Sequence, residues 1–246
     1  MNHNIVSYSF VGVWEKPILE IPLLDKKFCL DLFGDPYNTN TTMTPEGFVI
    51  NYQAKTNPTP TIMIGPERIV IVSQDLNQVL DLTEKIKKEL LKVTNNKFPM
   101  KLKAYGINTE HEWIGLDLQS SAWLSKRFTA KGLNIKKDKQ KQYKVLTTDI
   151  NFQIVIDENQ KLVILLQPRS NMPNGLFASI NHHKDEILDT LPEKATLKKL
   201  FDKEAELIKN EISPSNEESE IELVFSVKDT GIGIPENRQN AIFESF

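Results

Sequence analysis

Short runs in which apolar residues alternate with polar or small ones are the feature that most limits how this chain can fold. An alternation with a period of two places the apolar side chains on one face of an extended strand. In the amino-terminal part of the chain these runs are bounded by Gly, Pro and Asn, which favour turns. We therefore predict a loop at 37–45 and short strands at residues 5–13, 27–33, 48–53, 59–64 and 68–72.

A helical period replaces the alternation after Ser73. Apolar residues then recur every three or four positions between Leu76 and Val93, with lysines and glutamates among them. This spacing predicts an amphipathic helix, for which Ser73 is a suitable N-terminal cap. The apolar face of the helix should pack across the strands that precede it.

The second half of the chain begins with further strand patterns. Alternating residues predict a long strand at 101–116 and a hairpin made of the strands 143–156 and 161–167. Residues 168–175 contain two prolines, two asparagines and a glycine, and this composition predicts a loop.

Three further helices are predicted in this half. The first covers 121–129, and the second begins at Asn181 as its cap and ends at Leu188. The third covers 193–212, with charged residues on one face and an apolar stripe on the other, formed by Leu197, Leu200, Phe201, Ala205, Ile208 and Ile212.

Strands in groups, with helices between the groups, indicate an α+β fold in which a mostly antiparallel sheet is covered by helices. We predict a main domain at 1–212, which could consist of two lobes at 1–97 and 98–212. Residues 213–220 contain no apolar side chain and several acids, so we predict an exposed linker there. A short strand–loop–helix segment follows at 221–246.

The composition indicates an ordered, soluble protein of the cytoplasm. Apolar residues make up 39% of the 246 residues and charged residues 26%, as in globular chains. The single cysteine, Cys29, cannot form an internal disulfide, which favours a reducing compartment. No apolar run approaches the roughly 20 residues that cross a membrane, and the amino terminus has no signal-peptide pattern. The net charge is −3, so nucleic acid is not an expected partner.

The segment 221–246 carries the most specific chemical pattern in the chain. An alternating strand runs into Asp229, Gly231 and Gly233, and Pro235 then begins a helix. Glycines let a backbone approach a ligand closely, and a carboxylate at a strand end accepts hydrogen bonds from an amino group such as that of adenine. A strand, a glycine loop and a helix in this order indicate a nucleotide site.

The residues SVKDTGIGIPENRQNAIFESF resemble the first glycine box and the phenylalanine box of the ATP-binding domain in sensor histidine kinases, which belong to the GHKL ATPase superfamily. The resemblance implies that Asp229 accepts a hydrogen bond from the adenine amino group and that Gly231 and Gly233 line the nucleotide pocket. It also implies that Phe243 and Phe246 belong to the segment beside the mobile ATP lid.

The resemblance covers only part of a kinase ATP site. The family also uses an asparagine-bearing helix that helps to hold Mg²⁺ and a second glycine-rich motif around the phosphates, and neither has a recognisable counterpart here. The phosphoacceptor helix has none either, since His111 and Glu112 fall in a predicted strand. We therefore expect weak or no ATP binding and no autophosphorylation by this chain alone. ATP and Mg²⁺ would act as cofactors only if other residues or a partner chain completed the site.

Three other groups of polar residues are candidates for binding. Arg169 and Asn181 could form an anion pocket, with a solvated hairpin end as the alternative. His182 and His183 are adjacent and should point in different directions, so we expect no metal site there. The lysines within 131–144 form a solvated loop in our interpretation.

Three functional hypotheses follow. We favour a binding or regulatory module without catalysis of its own, which carries a remnant of a kinase-type ATP-binding segment. The second hypothesis is the ATP-binding part of a two-component histidine kinase, active once its site is complete. The third is an enzyme with a site around Arg169 and Asn181. Residues 221–246 would bind a protein partner or a second copy of the chain.

Overall fold

The computed structural model describes residues 1–17, 30–31, 39–44, 47–52, 59–93, 101–128 and 149–209. All of them belong to one compact unit, Met1–Ser215. The predicted linker at 213–220 and the nucleotide segment with Asp229, Gly231 and Gly233 lie outside the described residues.

The described strands form one sheet of nine strands, in which every neighbouring pair is antiparallel. In chain order they are β1 (Asn2–Trp14), β2 (Thr39–Thr44), β3 (Gly47–Tyr52), β4 (Thr61–Ile64), β5 (Arg68–Ser73), β6 (Leu102–Ile114), β7 (Ile150–Asp157), β8 (Gln160–Arg169) and β9 (Met172–Lys184). Their order in the sheet is β2-β3-β4-β5-β1-β6-β9-β8-β7. Strands β2 to β5 form a meander, and β1 joins it to the second half of the chain.

Three helices pack on the same face of this sheet: α1 (Leu76–Val93), α2 (Ser120–Phe128) and α3 (Lys194–Leu207). Helix α1 contacts β1 and β5, α2 contacts β8 and β9, and α3 contacts β6 and α1. The predicted α+β class, with a mostly antiparallel sheet and covering helices, is confirmed. The opposite face of the sheet carries no helix of the described residues, and we call it the helix-free face.

Two clusters of buried apolar side chains fill the space between the sheet and the helices. The first includes Phe10, Ile71 and Ile107 of the sheet and most of the apolar face of α1. The second includes Trp113 and Ile180 of the sheet and lies under α2. Helix α3 contributes to both, with Phe201 in the first cluster and Ile208 in the second. One continuous sheet therefore runs through both of the predicted sub-lobes.

Two of the predictions for the amino-terminal part are wrong. Residues 39–44, predicted as a loop, form β2 and pair with β3 in register from Thr39↔Tyr52 to Thr44↔Gly47. Threonine is branched at Cβ and suits an extended backbone, so a Thr-rich run can add to a sheet edge without alternating apolar residues. Within the predicted strand 27–33, the two described residues, Leu30 and Asp31, have a helical backbone.

The predictions for 168–175 and for a helix capped by Asn181 are also wrong. Strand β8 continues to Arg169, a two-residue turn follows, and β9 then runs through Asn181 to Lys184. Each of the two prolines that suggested a loop lies in a part of its strand that pairs with only one neighbouring strand. Pro168 is beyond Leu166, the last β8 residue paired with β7, and Pro173 is beyond the last β9 residue paired with β6. A missing backbone N–H is tolerated at such positions.

The helices after Ser73 and within 193–212 are confirmed, with two differences in detail. Asp75 caps α1, since its Oδ1 accepts a hydrogen bond from the Asn77 N–H at 2.9 Å, while Ser73 Oγ accepts one from the Asp75 N–H at 3.0 Å. In α3 the predicted apolar position Ala205 is exposed, and the neighbouring Glu204 is buried instead.

Candidate functional site

A row of polar side chains interrupts the buried face of β6. Alternate residues of this strand point toward the helices, and two of them, Thr109 and His111, lie between the apolar residues Ile107 and Trp113. Thr109 is 3% exposed and His111 is 1% exposed. Buried polar side chains at such positions require hydrogen-bond partners from neighbouring elements.

His111 finds its partners on β1 and on its own strand. Its Nδ1 is 3.0 Å from Nε2 of His3, and its Nε2 is 2.8 Å from the hydroxyl oxygen of Thr109. The ring of His3 also stacks on the indole of Trp113, with ring centroids 4.7 Å apart. His3 is itself exposed, so this contact connects the buried imidazole to the surface.

Helix α3 supplies the other end of the row. The Thr109 hydroxyl donates a hydrogen bond to Oε1 of Glu204, whose side chain lies between the two apolar clusters. Glu204 is 1% exposed, and its Oε2 has no hydrogen-bond partner among the described residues. His3, His111, Thr109 and Glu204 thus form one hydrogen-bonded chain, which we call the polar relay.

Burial controls the charge of the relay. Loss of hydration raises the pKa of Glu204 from 4.5 to about 8, although the Thr109 hydrogen bond opposes this rise. Loss of hydration also lowers the pKa of His111 from 6.5 to about 4, with a smaller contribution from His3. Near neutral pH the carboxyl is therefore protonated and the His111 imidazole is uncharged.

The hydrogen bonds of the relay can all point in either of two directions. In one arrangement His3 donates to His111, His111 donates to Thr109 and Thr109 donates to Glu204. In the other, a protonated Glu204 donates to Thr109 and each later bond is reversed, which the two ring nitrogens of a neutral imidazole permit. The relay is thus able to move a proton between an exposed histidine and a buried carboxyl.

His182 is a second buried imidazole on the same side of the sheet. It lies on β9 opposite Ile107, is 1% exposed, and has no hydrogen-bond partner for either ring nitrogen among the described residues. Burial lowers the pKa of His182, and the positive charges of Lys203 and Lys184 lower it further. His182 is therefore uncharged in the folded protein near neutral pH.

The structure does not bring Arg169 and Asn181 together. Arg169, at the end of β8, forms an ion pair with Glu112 of β6. Asn181 lies farther along β9, opposite Val163, and donates a hydrogen bond to Asn108. Since Glu112 balances the charge of Arg169, the guanidinium is not a free anion-binding group.

The two adjacent histidines point to opposite sides of β9, as alternate residues of a strand must. His182 is buried under the helices, whereas Nε2 of His183 is 2.8 Å from Oδ1 of Asp185. Within the described ranges, no three His, Cys, Asp or Glu side chains are grouped as metal ligands would be.

The helix-free face carries a second, more accessible row of polar contacts, which we call the polar ladder. Ser7 donates to Glu110 at 2.9 Å, and Asn108 donates to Ser9 at 3.0 Å while accepting from Asn181. The Arg169–Glu112 ion pair extends this row to β8. The polar ladder therefore connects β1, β6, β9 and β8.

The sequence contained a signal for Glu204 that our interpretation missed. Leu197, Phe201, Glu204 and Ile208 recur at intervals of three or four residues, the spacing of one helix face. We assigned every charged residue of this helix to the solvent side, so the carboxylate within the apolar stripe was overlooked. Its hydrogen bond with Thr109 joins residues that are 95 positions apart in the chain, so local patterns could not predict it.

No protein-family model matches the chain, and no curated protein matches it at a significant level. In the part of the chain that the structure describes, no helix is both long and apolar enough to cross a membrane.

Proposed function

We propose that this chain is a binding or regulatory module that engages a protein partner through the helix-free face of its sheet. The observation that supports this proposal is the polar ladder, in which hydrogen bonds join side chains of β1, β6 and β9, and an ion pair joins β6 to β8, on a face without a described helix. Side chains held in this way lose less conformational freedom when a partner binds.

The surroundings of the polar ladder also suit a protein partner. Val70 and Val72 of β5 lie on one side of it and Val163 and Leu165 of β8 on the other, and all four are half-buried. Their positions alternate with the buried residues of the same strands, which places them on the helix-free face. Apolar patches next to fixed polar groups are common in protein–protein interfaces.

An exposed charge in the polar ladder tests this proposal. We expect that proteins which co-purify with the wild-type chain from its source cells no longer co-purify with Asn181→Arg. The reason is that the new side chain would obstruct the proposed binding face. Asn77→Arg, on the exposed side of α1, is the matched control and should retain them. Retention of the same proteins by Asn181→Arg, measured by quantitative mass spectrometry, would contradict the proposal.

The second candidate function is that of an ATP-binding part of a histidine kinase, and Asp229-Thr230-Gly231-Ile232-Gly233 is the feature that favours it. In our proposal these residues are an incomplete GHKL-type segment, and the chain does not transfer phosphate by itself. Calorimetric titration with Mg-ATP should then show weak binding or none. Micromolar affinity that is lost in Asp229→Asn would favour the kinase hypothesis instead.

Two further features complete the proposal. The single cysteine, Cys29, supports a location in the reducing cytoplasm. We keep two sub-lobes, at 1–97 and 98–212, in the proposal because β1 to β5 form one half of the shared sheet and β6 to β9 form the other.

A further inference from the structure

Helix α3 is attached to the sheet by both apolar and polar contacts. Phe201 packs edge-on against Tyr8 of β1, with ring centroids 5.8 Å apart, and Ile208 belongs to the second apolar cluster. Between them, the single buried carboxyl of the helix reaches the hydroxyl of Thr109 on β6. The carboxyl of Glu204 is therefore at the centre of the contact between α3 and the sheet.

The groups around this carboxyl are uncharged. On the sheet side they are Thr109, the neutral imidazole of His111 and, beyond it, His3. Tyr8 lies opposite Thr109 on β1, and burial and the charge of Asp75 raise its pKa, so it too is uncharged. Among the described residues, no lysine or arginine forms an ion pair with Glu204.

The charged groups of the neighbouring elements lie elsewhere. On β9, His182 is neutral and is influenced by Lys203, Lys184 and Asp157. Lys194 and Glu193 at the start of α3 pair with Asp81 and Lys87 of α1, about 15 Å along the helix from Glu204 at a rise of 1.5 Å per residue. The exposed Asp202 of α3 pairs with Lys198 at 2.7 Å. None of these charges offsets an ionised Glu204.

We propose that Glu204 is a proton-dependent latch, which holds α3 against the sheet in its neutral form and releases the helix when it ionises. An ionised carboxylate with one hydrogen bond and an unpartnered oxygen is strongly disfavoured in an apolar setting. Exposure of the helix restores hydration to the carboxylate. Release of α3 also breaks the apolar contacts of Phe201 and Ile208. These contacts hold the helix in place until the free energy gained by ionisation of Glu204 exceeds their contribution.

The polar relay supplies a route for the proton. Because His3 is exposed, a proton can pass between solvent and Glu204 through His111 and Thr109 while the helix remains in place. The raised pKa of Glu204, about 8, places the transition near neutral to mildly alkaline pH. The attachment of α3 should therefore weaken as pH rises from 4.5 toward about 8.

Hydrogen exchange of the intact chain between about pH 6 and 9 tests the latch directly. After correction for intrinsic exchange rates, protection of residues 194–207 should fall as pH rises, by up to about tenfold per pH unit for one linked proton. Protection of β8 and β9 should change less. Glu204→Gln should make the protection of α3 independent of pH, whereas Glu206→Gln, an exposed position on the same helix, should behave as wild type.

Two results would overturn the proposal. One is protection of α3 in the wild-type chain that does not change with pH, and the other is an unchanged pH dependence in Glu204→Gln. Infrared spectroscopy of the wild-type chain provides a test even if that variant does not fold. A protonated-carboxyl band at neutral pH that disappears on alkalinisation together with α3 protection supports the latch, and the absence of such a band at neutral pH refutes it.

Discussion

The hydroxyl of Thr109 donates a hydrogen bond to the buried carboxyl of Glu204, across the contact between β6 and α3. The two residues are 95 positions apart in the chain, and each lies among apolar residues on the buried face of its own element. Each is a hydrogen-bond partner of the other within this buried contact, whereas Oε2 of Glu204 has no partner among the described residues. This pairing makes the attachment of α3 sensitive both to pH and to small changes at either residue.

The stability of the folded protein should depend on the ionisation of Glu204. Its pKa is raised in the folded state, so this contribution is complete below pH 4.5 and is lost as pH rises toward about 8. His111 acts in the opposite sense: its pKa is lowered from 6.5 to about 4, so its contribution is complete above pH 6.5 and is lost as pH falls toward 4. The two effects oppose each other between pH 4.5 and 6.5, and only Glu204 acts from pH 6.5 to 8.

We therefore expect the free energy of unfolding to fall by at most about 1.4 kcal/mol per pH unit between pH 6.5 and 8. Glu204→Gln should abolish this decrease because the amide does not ionise. Urea denaturation between pH 6.5 and 8 measures the effect. The exposed Glu206→Gln serves as the control and should keep the wild-type slope. Equal slopes in all three proteins would show that Glu204 has an ordinary pKa.

Replacement of Thr109 by valine keeps the shape of the side chain and removes its hydroxyl. Oε1 of Glu204 and Nε2 of His111 then lose their partner in a buried setting, so we expect a loss of about 1–3 kcal/mol in the free energy of unfolding. Thermal or urea denaturation measures it. Thr59→Val, at an exposed position, should change stability much less, and a similar effect of both substitutions would argue against a role for the relay in stability.

His182→Leu should leave stability unchanged or increase it, because leucine fills an apolar site without two unpartnered ring nitrogens. The benefit should be larger at mildly acidic pH, where the unfolded chain binds a proton on His182 that the folded protein binds only at a lower pH. The comparison is His183→Leu, which removes the hydrogen bond with Asp185 at the surface. A clear loss of stability in His182→Leu would indicate that its ring nitrogens have a partner such as bound water.

Glycine at position 106 is required by the close approach of β9. A Cβ there would lie 2.7 Å from the backbone carbonyl oxygen of His182, which has little freedom to move. At Gly12 the nearest atoms to an added Cβ, at 3.0 Å, belong to the flexible side chains of Ile69 and Leu102. We expect Gly106→Ala to lower the free energy of unfolding by about 1–3 kcal/mol and Gly12→Ala to lower it less. Urea denaturation of both variants shows which substitution lowers the free energy of unfolding more.

Local patterns predicted most of the sheet but not its full extent. The runs that became β1, β4, β5 and β8 were visible because one face of each is buried and the alternation is strong. Strand β2 was missed because residues 39–44 have no such alternation. Strand β9 was not predicted, because Pro173 and Asn181 resemble a turn and a helix cap when their neighbours in the sheet are not known.

The polar relay could be predicted only in part. A threonine and a histidine at alternate positions of β6 can be recognised as facing one side of a strand once its apolar residues are aligned. Their partners, His3 and Glu204, are distant in sequence and come together only through the pairing of β1 with β6 and the path of α3. Chemistry that depends on such tertiary contacts is not encoded in any single segment.

The two prolines of the β8–β9 hairpin also set the lengths over which its neighbours can pair. Pro168 has no N–H to offer β7, and Pro173 has none to offer β6. Each lies two positions beyond the last residue of its strand in the observed ladder, which is Leu166 for β7 and Gly175 for β6. If β6 or β7 slipped along the hairpin toward its turn, a ladder hydrogen bond would be lost at a proline. A slip of β6 by an odd number of residues would also turn Thr109 and His111 away from α3. Pro173 thus opposes slips of β6 that are long enough to reach it, some of which would leave Glu204 without its partner Thr109.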